Sequence, residues 1–146
     1  MDQKVKVIFR LERDEDGYPP EDVESLWGLR CADGVEIDNV PWFVKGVSLG
    51  DVVSVVQASD GVLEFERVLR RSGHSTYRIL LLDQEARALE RTIAELTAMG
   101  LGVEEDAGLL AVDVPPTVSL NSFTKHLLVG VRSGRWEAEE GHATDR

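Results

Sequence analysis

Residues 78–133, RILLLDQEARALERTIAELTAMGLGVEEDAGLLAVDVPPTVSLNSFTKHLLVGVRS, decide the fold of this chain. Apolar residues recur there at helical spacing after Asp83 and again after Ser119, which predicts two amphipathic helices. Apolar runs on either side of the first helix predict strands at 78–82, 102–105 and 109–114. Trp136 starts a fourth candidate strand. This order of strands and helices predicts a split βαβ, ferredoxin-like unit.

The ends of both predicted helices carry capping signals. Asp83 is a candidate N-cap of the first helix, and Gly100 can end that helix in the left-handed conformation. Ser119 is the candidate N-cap of the second helix, and Gly134 is its candidate stop. The apolar stripe expected to be buried in the second helix consists of Leu120, Phe123, Leu127 and Val131.

The first half of the chain predicts short strands and no helix. Turn signals such as Ala32-Asp33-Gly34 and Ser59-Asp60-Gly61 separate these strands. The predicted strands are 4–11, 26–31, 34–37, 52–56 and 62–69. Broken alternation in the last of them predicts a β-bulge. Several short strands in a row are typical of a small β-barrel or a sandwich.

We therefore expect an α+β protein made of two subdomains. An N-terminal small β-barrel or sandwich-like subdomain, residues 1–73, is expected to be packed on a C-terminal ferredoxin-like subdomain, residues 74–136. Each is near the lower size limit for independent stability, which favours packing. Residues 137–146 are predicted to be an acidic, flexible tail.

The composition excludes several classes of protein. The chain has 27 acidic and 16 basic residues and a net charge of −11, which disfavours nucleic acid as a partner. It has no apolar run long enough to span a membrane, so a cytoplasmic protein without membrane contact is expected. Cys31 has no second cysteine for a disulfide or a metal-binding pair. The oligomeric state cannot be inferred.

Carboxylates are concentrated in residues 12–24, which we call the acidic loop. It is either a solvated loop or a docking loop for a basic protein, and the candidate docking residues are Asp14, Glu15, Asp16, Tyr18, Glu21 and Asp22. Its spacing does not fit the calcium-binding loop pattern, so no metal is expected.

A second candidate site combines residues from both predicted subdomains. Arginine makes forked contacts with anions and imidazole titrates near neutrality, so a ligand site or an interdomain joint is expected at Trp42, Ser48, Arg71, His74 and Ser75. In the same region, Asp51 is expected to accept backbone N–H bonds in a turn. No nucleophile motif or phosphate-binding glycine loop is recognisable, which favours a non-enzymatic protein without a cofactor.

Four segments carry a resemblance to a known family. ERDEDGYPPEDVESLW (12–27), IDNVPWFVKGVSLGDVV (37–53), RRSGHSTYRILLLD (70–83) and LLAVDVPPTV (109–118) resemble an uncharacterised bacterial domain-of-unknown-function family of the DUF4265 type. The resemblance covers roughly residues 4–136 and implies no activity. Small acidic proteins of this sort are often encoded beside polymorphic toxins, which implies an immunity role as a hypothesis.

Two functions remain open from the sequence. The first is a non-enzymatic acidic protein-binding module. Its most specific version is an immunity protein that neutralises a basic toxin. The alternative is a small-ligand sensor or an enzyme that uses an interdomain cleft around Arg71 and His74. The charge favours the first function, and the local clustering of polar residues favours the second.

Overall fold

The computed structural model describes residues 3–58 and 60–144 of the chain. The chain divides into two compact units, Met1–Ser72 and Gly73–Arg146, whereas the sequence analysis placed the division after residue 73. Each unit has its own cluster of buried apolar side chains. The structure therefore belongs to the α+β class and includes a small barrel, as predicted. The packing of the two units against each other stays a prediction.

The first unit is a closed five-stranded barrel, so the barrel alternative is correct. Its strands are β1 (Lys4–Arg10), β2 (Val23–Arg30), β3 (Val35–Ile37), β4 (Val52–Gln57) and β5 (Leu63–Arg70). Consecutive strands pair antiparallel, and a parallel pair between β1 and β5 closes the barrel. The β4–β5 pair has two register shifts, which agrees with the bulge predicted there.

Side chains at alternate positions of the strands point inward and fill the barrel. Side chains of β2 are buried at every second position, because successive residues of a strand point to opposite faces. In the core, the rings of Phe9 and Phe65 stack with their centroids 4.8 Å apart. The loop between β3 and β4 contributes Val44 and Val47 to the same cluster.

The second unit is a four-stranded sheet with two helices. Its elements are β6 (Ser75–Leu81), α1 (Ala86–Ala98), β7 (Gly102–Asp106), β8 (Leu109–Val114), α2 (Leu120–Arg132) and β9 (Trp136–His142). The strand order is β7-β8-β6-β9, and all neighbouring strands pair antiparallel. Alternate apolar residues of β6 and β8 form one cluster with Leu96 of α1 and Phe123 of α2. Both helices therefore cover the same face of the sheet.

Three of the four predicted helix ends are correct. The Oγ of Ser119 accepts the N–H of Ser122 at 3.1 Å, as an N-cap does. Gly100 and Gly134 follow their helices with φ of 91° and 74°. The prediction for Asp83 is wrong, because α1 starts two residues later. The N-cap is Glu85, whose N–H donates to Oδ1 of Asp83 at 3.0 Å.

The buried stripe of α2 differs from the prediction at one residue. Phe123 is buried and Leu127 packs against the core, but Val131 is 43 % exposed. Gly130 is buried instead, because the ring of Trp136 lies against it where an added Cβ would overlap the ring. The indole N–H also donates to the carbonyl of Leu127 at 3.0 Å. The contact with the Trp136 ring therefore places Gly130, and not Val131, on the inward side of α2.

The predicted flexible tail is wrong over most of its length. Residues 137–142 lie in β9, which pairs with β6 so that Ile79 is opposite Ala138 and Arg78 is opposite Glu139. The glutamates of this strand leave its backbone free to hydrogen-bond, so an acidic composition does not prevent a ladder. Residues 145–146 lie outside the described residues. Within the described residues, neither helix has the length and apolar character to cross a bilayer.

Candidate functional site

The acidic loop is held in shape by its own hydrogen bonds. Oδ1 of Asp14 accepts the N–H groups of Asp16 and Tyr18 at 2.9 and 3.0 Å, and the Asp14 N–H donates to the Tyr18 carbonyl at 2.7 Å. The guanidinium of Arg13 folds back to the Pro20 carbonyl at 2.7 Å and to Asp22 at 3.1 Å. The Asp14 carboxylate therefore stabilises the conformation of the acidic loop and also contributes to its negative charge.

Most carboxylates of the acidic loop point to solvent. Among the residues that the structure describes, four of them are exposed and make no ion pair, namely Glu12, Glu15, Asp16 and Glu21. Tyr18 is 40 % exposed and lies edge-on to Phe43, with ring centroids 5.9 Å apart. The last two residues of the acidic loop belong to β2, where the Glu24 carboxylate is buried.

The buried carboxylate of Glu24 organises the segment that contains Trp42. Its oxygens accept the backbone N–H groups of Trp42, Phe43 and Val44 at 2.6, 2.9 and 2.9 Å. Trp42 is half-buried and lies outside the apolar cluster of the barrel. The sequence gives no local signal of this role, because Glu24 and Trp42 are 18 residues apart.

Asp51 brings together the two other predicted site residues of the first unit. Its fully buried carboxylate accepts the Ser48 N–H at 2.9 Å and the Ser72 N–H at 2.8 Å, as expected of a turn aspartate. The Arg71 guanidinium lies 3.1 Å from the same carboxylate and donates to the Gly46 carbonyl at 2.6 Å. Arg71 and Ser48 therefore both contact a carboxylate that ties down the β3–β4 loop.

The predicted site residues of the second unit make separate contacts. Nδ1 of His74 lies 2.8 Å from Oδ1 of Asp113, which orients the imidazole ring. The Oγ of Ser75 is buried and accepts the Thr144 N–H at 3.0 Å. The Oγ of Ser75 therefore binds the backbone of Thr144, whereas the imidazole of His74 contacts the Asp113 carboxylate.

A strip of polar residues on the sheet was missed by the sequence analysis. Thr76, Arg78 and Asp113 are buried on the face of the sheet opposite to the helices, and Arg78 donates to Glu139 at 2.9 Å. Burial raises the pKa of Asp113, and the hydrogen bond and charge of His74 oppose this rise. The feature of the sequence that could have indicated this strip is Asp113, a charged residue inside the apolar run LLAVDV.

Among the described residues, no group of three or more His, Cys, Asp or Glu side chains is arranged to hold a metal ion. Whether Trp42, Ser48, Arg71, His74 and Ser75 form a ligand site or a structural joint stays a prediction.

Comparison with known proteins gives the family and the fold. The family described as "Domain of unknown function (DUF4265)" matches residues 24–138, so the chain belongs to it, as the resemblance indicated. A crystal structure of a hypothetical protein from Neisseria gonorrhoeae is 21% identical, with a TM-score of 0.75, over 100% of this chain and 98% of that chain. At this identity the likeness shows a shared fold. No curated protein matches the chain.

Proposed function

We propose that this member of the DUF4265 family is a non-enzymatic, acidic module that binds a basic protein through its acidic loop. The observation that carries the proposal is a loop ordered by Asp14 and Arg13 in which four other carboxylates face solvent, namely Glu12, Glu15, Asp16 and Glu21. A loop that is ordered before binding loses less conformational entropy when the partner arrives. Its exposed charges also attract a basic partner from a distance.

The net charge of −11 supports the same class of partner. A long-range negative field raises the rate at which a basic protein finds the chain. In its sharpest form, the proposal is that of a bacterial immunity protein that neutralises a basic toxin in the cytoplasm. The toxin would present a cluster of Lys and Arg that the carboxylates of the acidic loop cover.

The test reverses charges without breaking the loop. Glu15→Lys, Asp16→Lys and Glu21→Lys are combined, and Asp14 is kept because its carboxylate forms the turn. The matched control combines Glu36→Lys, Glu90→Lys and Glu137→Lys, which are exposed elsewhere and change the net charge equally. Both variants and the wild type are used as bait in lysate of the native cell, and captured proteins are identified by mass spectrometry.

We expect the wild type and the control variant to capture the same basic protein and the loop variant to lose it. Thermal unfolding should be similar for all three proteins, since the changed side chains are exposed. Equal capture by the loop variant, or a captured partner without basic character, would contradict the proposal.

The second candidate is a small-ligand sensor or an enzyme that uses an interdomain cleft around Arg71 and His74. The contact between His74 and Asp113 favours it, because a carboxylate that orients an imidazole is a common arrangement for proton transfer or anion binding. A thermal-shift screen of small anions and metabolites should then give a stabilising compound. Its effect should vanish in His74→Ala, while the unliganded variant unfolds near the wild-type temperature. A large loss of stability in His74→Ala would indicate a structural joint.

For the second unit we infer the ferredoxin-like arrangement. The order β7-β8-β6-β9, with β8 and β6 at the centre and two helices on one face, supports this inference. Backbone NOEs are expected between Val103 and Val112 and between Ile79 and Ala138. Their absence in solution would contradict the arrangement.

A further inference from the structure

Helix α2 carries an exposed apolar surface flanked by basic residues. Leu128, Val129 and Val131 are 45, 65 and 43 % exposed, and neighbouring exposed apolar side chains of this kind are typical of interaction surfaces. Lys125 and Arg132 are exposed on the same side of the helix. We call these five residues the α2 face.

The charge of the α2 face is opposite to that of the chain. Helix α2 contains Lys125 and Arg132 and no acidic residue, whereas the whole chain has a net charge of −11. Arg132 also stabilises the last turn through the helix dipole, but Lys125 lies too far from that end to do so. Within the described residues neither side chain makes an ion pair. Both charges are therefore available to a partner.

We propose that the α2 face docks an acidic amphipathic helix of another protein. Apolar residues of that helix would cover Leu128 and Val129, which lie between Lys125 and Arg132 along α2, and would meet Val131 at the edge of this surface. Its carboxylates would meet Lys125 and Arg132, which lie seven residues and about two turns apart on α2. The α2 face lies in the second unit and the acidic loop in the first. The partner of the α2 face would be acidic, whereas the partner of the acidic loop would be basic.

Two other occupants fit the α2 face less well. In a symmetric antiparallel pair of α2 helices centred on Leu128 and Val129, Lys125 of each copy would face Arg132 of the other, which is repulsive. An anionic membrane is a poorer occupant, because the α2 face has no aromatic residue of the kind that anchors helices at membrane interfaces.

The test selects the partner chemistry directly. A phage-displayed library of helix-forming peptides is selected on the full chain, and peptides that also bind a Lys125→Glu, Val129→Asp, Arg132→Glu variant are removed. We expect the remaining peptides to combine apolar residues at helical spacing with flanking Asp or Glu. Their affinity for the variant should be weaker by about tenfold or more, as for the loss of interface anchors.

The control variant is Arg87→Glu with Arg91→Glu, which reverses two positive charges on the exposed side of α1, as Lys125→Glu and Arg132→Glu do on α2. It should bind the selected peptides like the wild type. The proposal is overturned if selected peptides lack acidic residues, if no peptide depends on the α2 face, or if the control variant loses binding equally.

Two further measurements address the other occupants. The proposal is overturned if the chain sediments with phosphatidylglycerol vesicles and the α2 variant does not. It is also overturned if light scattering shows a dimer of the wild type that the α2 variant abolishes. Circular dichroism and thermal unfolding of each variant verify that α2 is intact, since all substituted side chains are exposed.

Discussion

Glu95 shows how one side chain joins three elements of the second unit. Its carboxylate accepts a hydrogen bond from Nη1 of Arg135 at 3.1 Å and lies 2.9 Å from Nε2 of His126. Arg135 also donates to Thr92 and lies 4.6 Å from the centroid of the Trp136 ring. The hydrogen bond from Arg135 lowers the pKa of Glu95, partial burial opposes this shift, and the charges of Arg135 and His126 add to it. Glu95 therefore links α1, α2 and the start of β9.

The lowered pKa of Glu95 predicts a pH-dependent stability. A carboxyl whose pKa is lower in the folded state stabilises the fold above its ordinary pKa and loses this effect as the pH falls through the folded value. We expect Glu95→Gln to reduce the free energy of unfolding near neutral pH and to have little effect in acid. Urea unfolding of both proteins across that range measures the difference. Glu90→Gln, an exposed change on the same helix, is the control. If Glu95→Gln reduced the free energy of unfolding equally at neutral and at acidic pH, the prediction would be contradicted.

At the scale of elements, the conformation of the β3–β4 loop depends on hydrogen bonds from its backbone N–H groups to two buried carboxylates. Glu24 binds the N–H groups of residues 42–44, and Asp51 binds those of Ser48 and Ser72. A loop of this length has no ladder to satisfy its backbone groups, so buried side chains take that role. The loop is therefore part of the barrel's core in spite of its irregular path, with Val44 and Val47 packed inside.

Removal of the Glu24 carboxylate should strongly destabilise the barrel. Glu24→Ala leaves three N–H groups of the loop without their acceptor, and each loss of a partner for a buried donor is costly, so we expect a total of about 3 kcal/mol or more. Glu36→Ala, an exposed glutamate of β3, should change stability by less than about 0.5 kcal/mol. Urea unfolding measures both values. Similar effects of the two substitutions would show that the loop is held by other contacts.

At the scale of the whole molecule, the charge is the dominant property. Carboxylates outnumber basic groups by eleven, and repulsion between them opposes the compact state at low ionic strength. Salt screens this repulsion over distances of about 10 Å at 0.1 M. The same negative field that attracts a basic partner therefore reduces stability in the absence of salt.

This predicts that salt stabilises the protein. The melting temperature should rise by a few degrees when sodium chloride is increased from a low to a physiological concentration, as scanning calorimetry can measure. The variant with Glu15→Lys, Asp16→Lys and Glu21→Lys loses three negative charges and gains three positive ones, so its rise should be smaller. A melting temperature that falls with salt would show that favourable ion pairs outweigh the repulsion.

Local patterns explain why much of the fold could be predicted. Helical spacing and the caps at Ser119 and Gly100 located both helices, and turn residues located the strands of the barrel to within a few residues. The contacts of the candidate sites could not be predicted in this way. His74 and Asp113 are 39 residues apart and Glu24 and Trp42 are 18 apart, and neither pair has a motif that links its members.

The amino-acid sequence by itself determined the order of the elements, three of the four helix ends and the acidic character, because each depends on neighbouring residues or on composition. Only the tertiary structure decided that β1 pairs with β5 to close the barrel, that the strand starting at Trp136 continues through the acidic segment, and that Gly130 faces the core. These outcomes depend on backbone groups and side chains that meet only after the chain has folded. Hydrogen bonding to a distant strand and packing against a distant ring outweigh local propensity there.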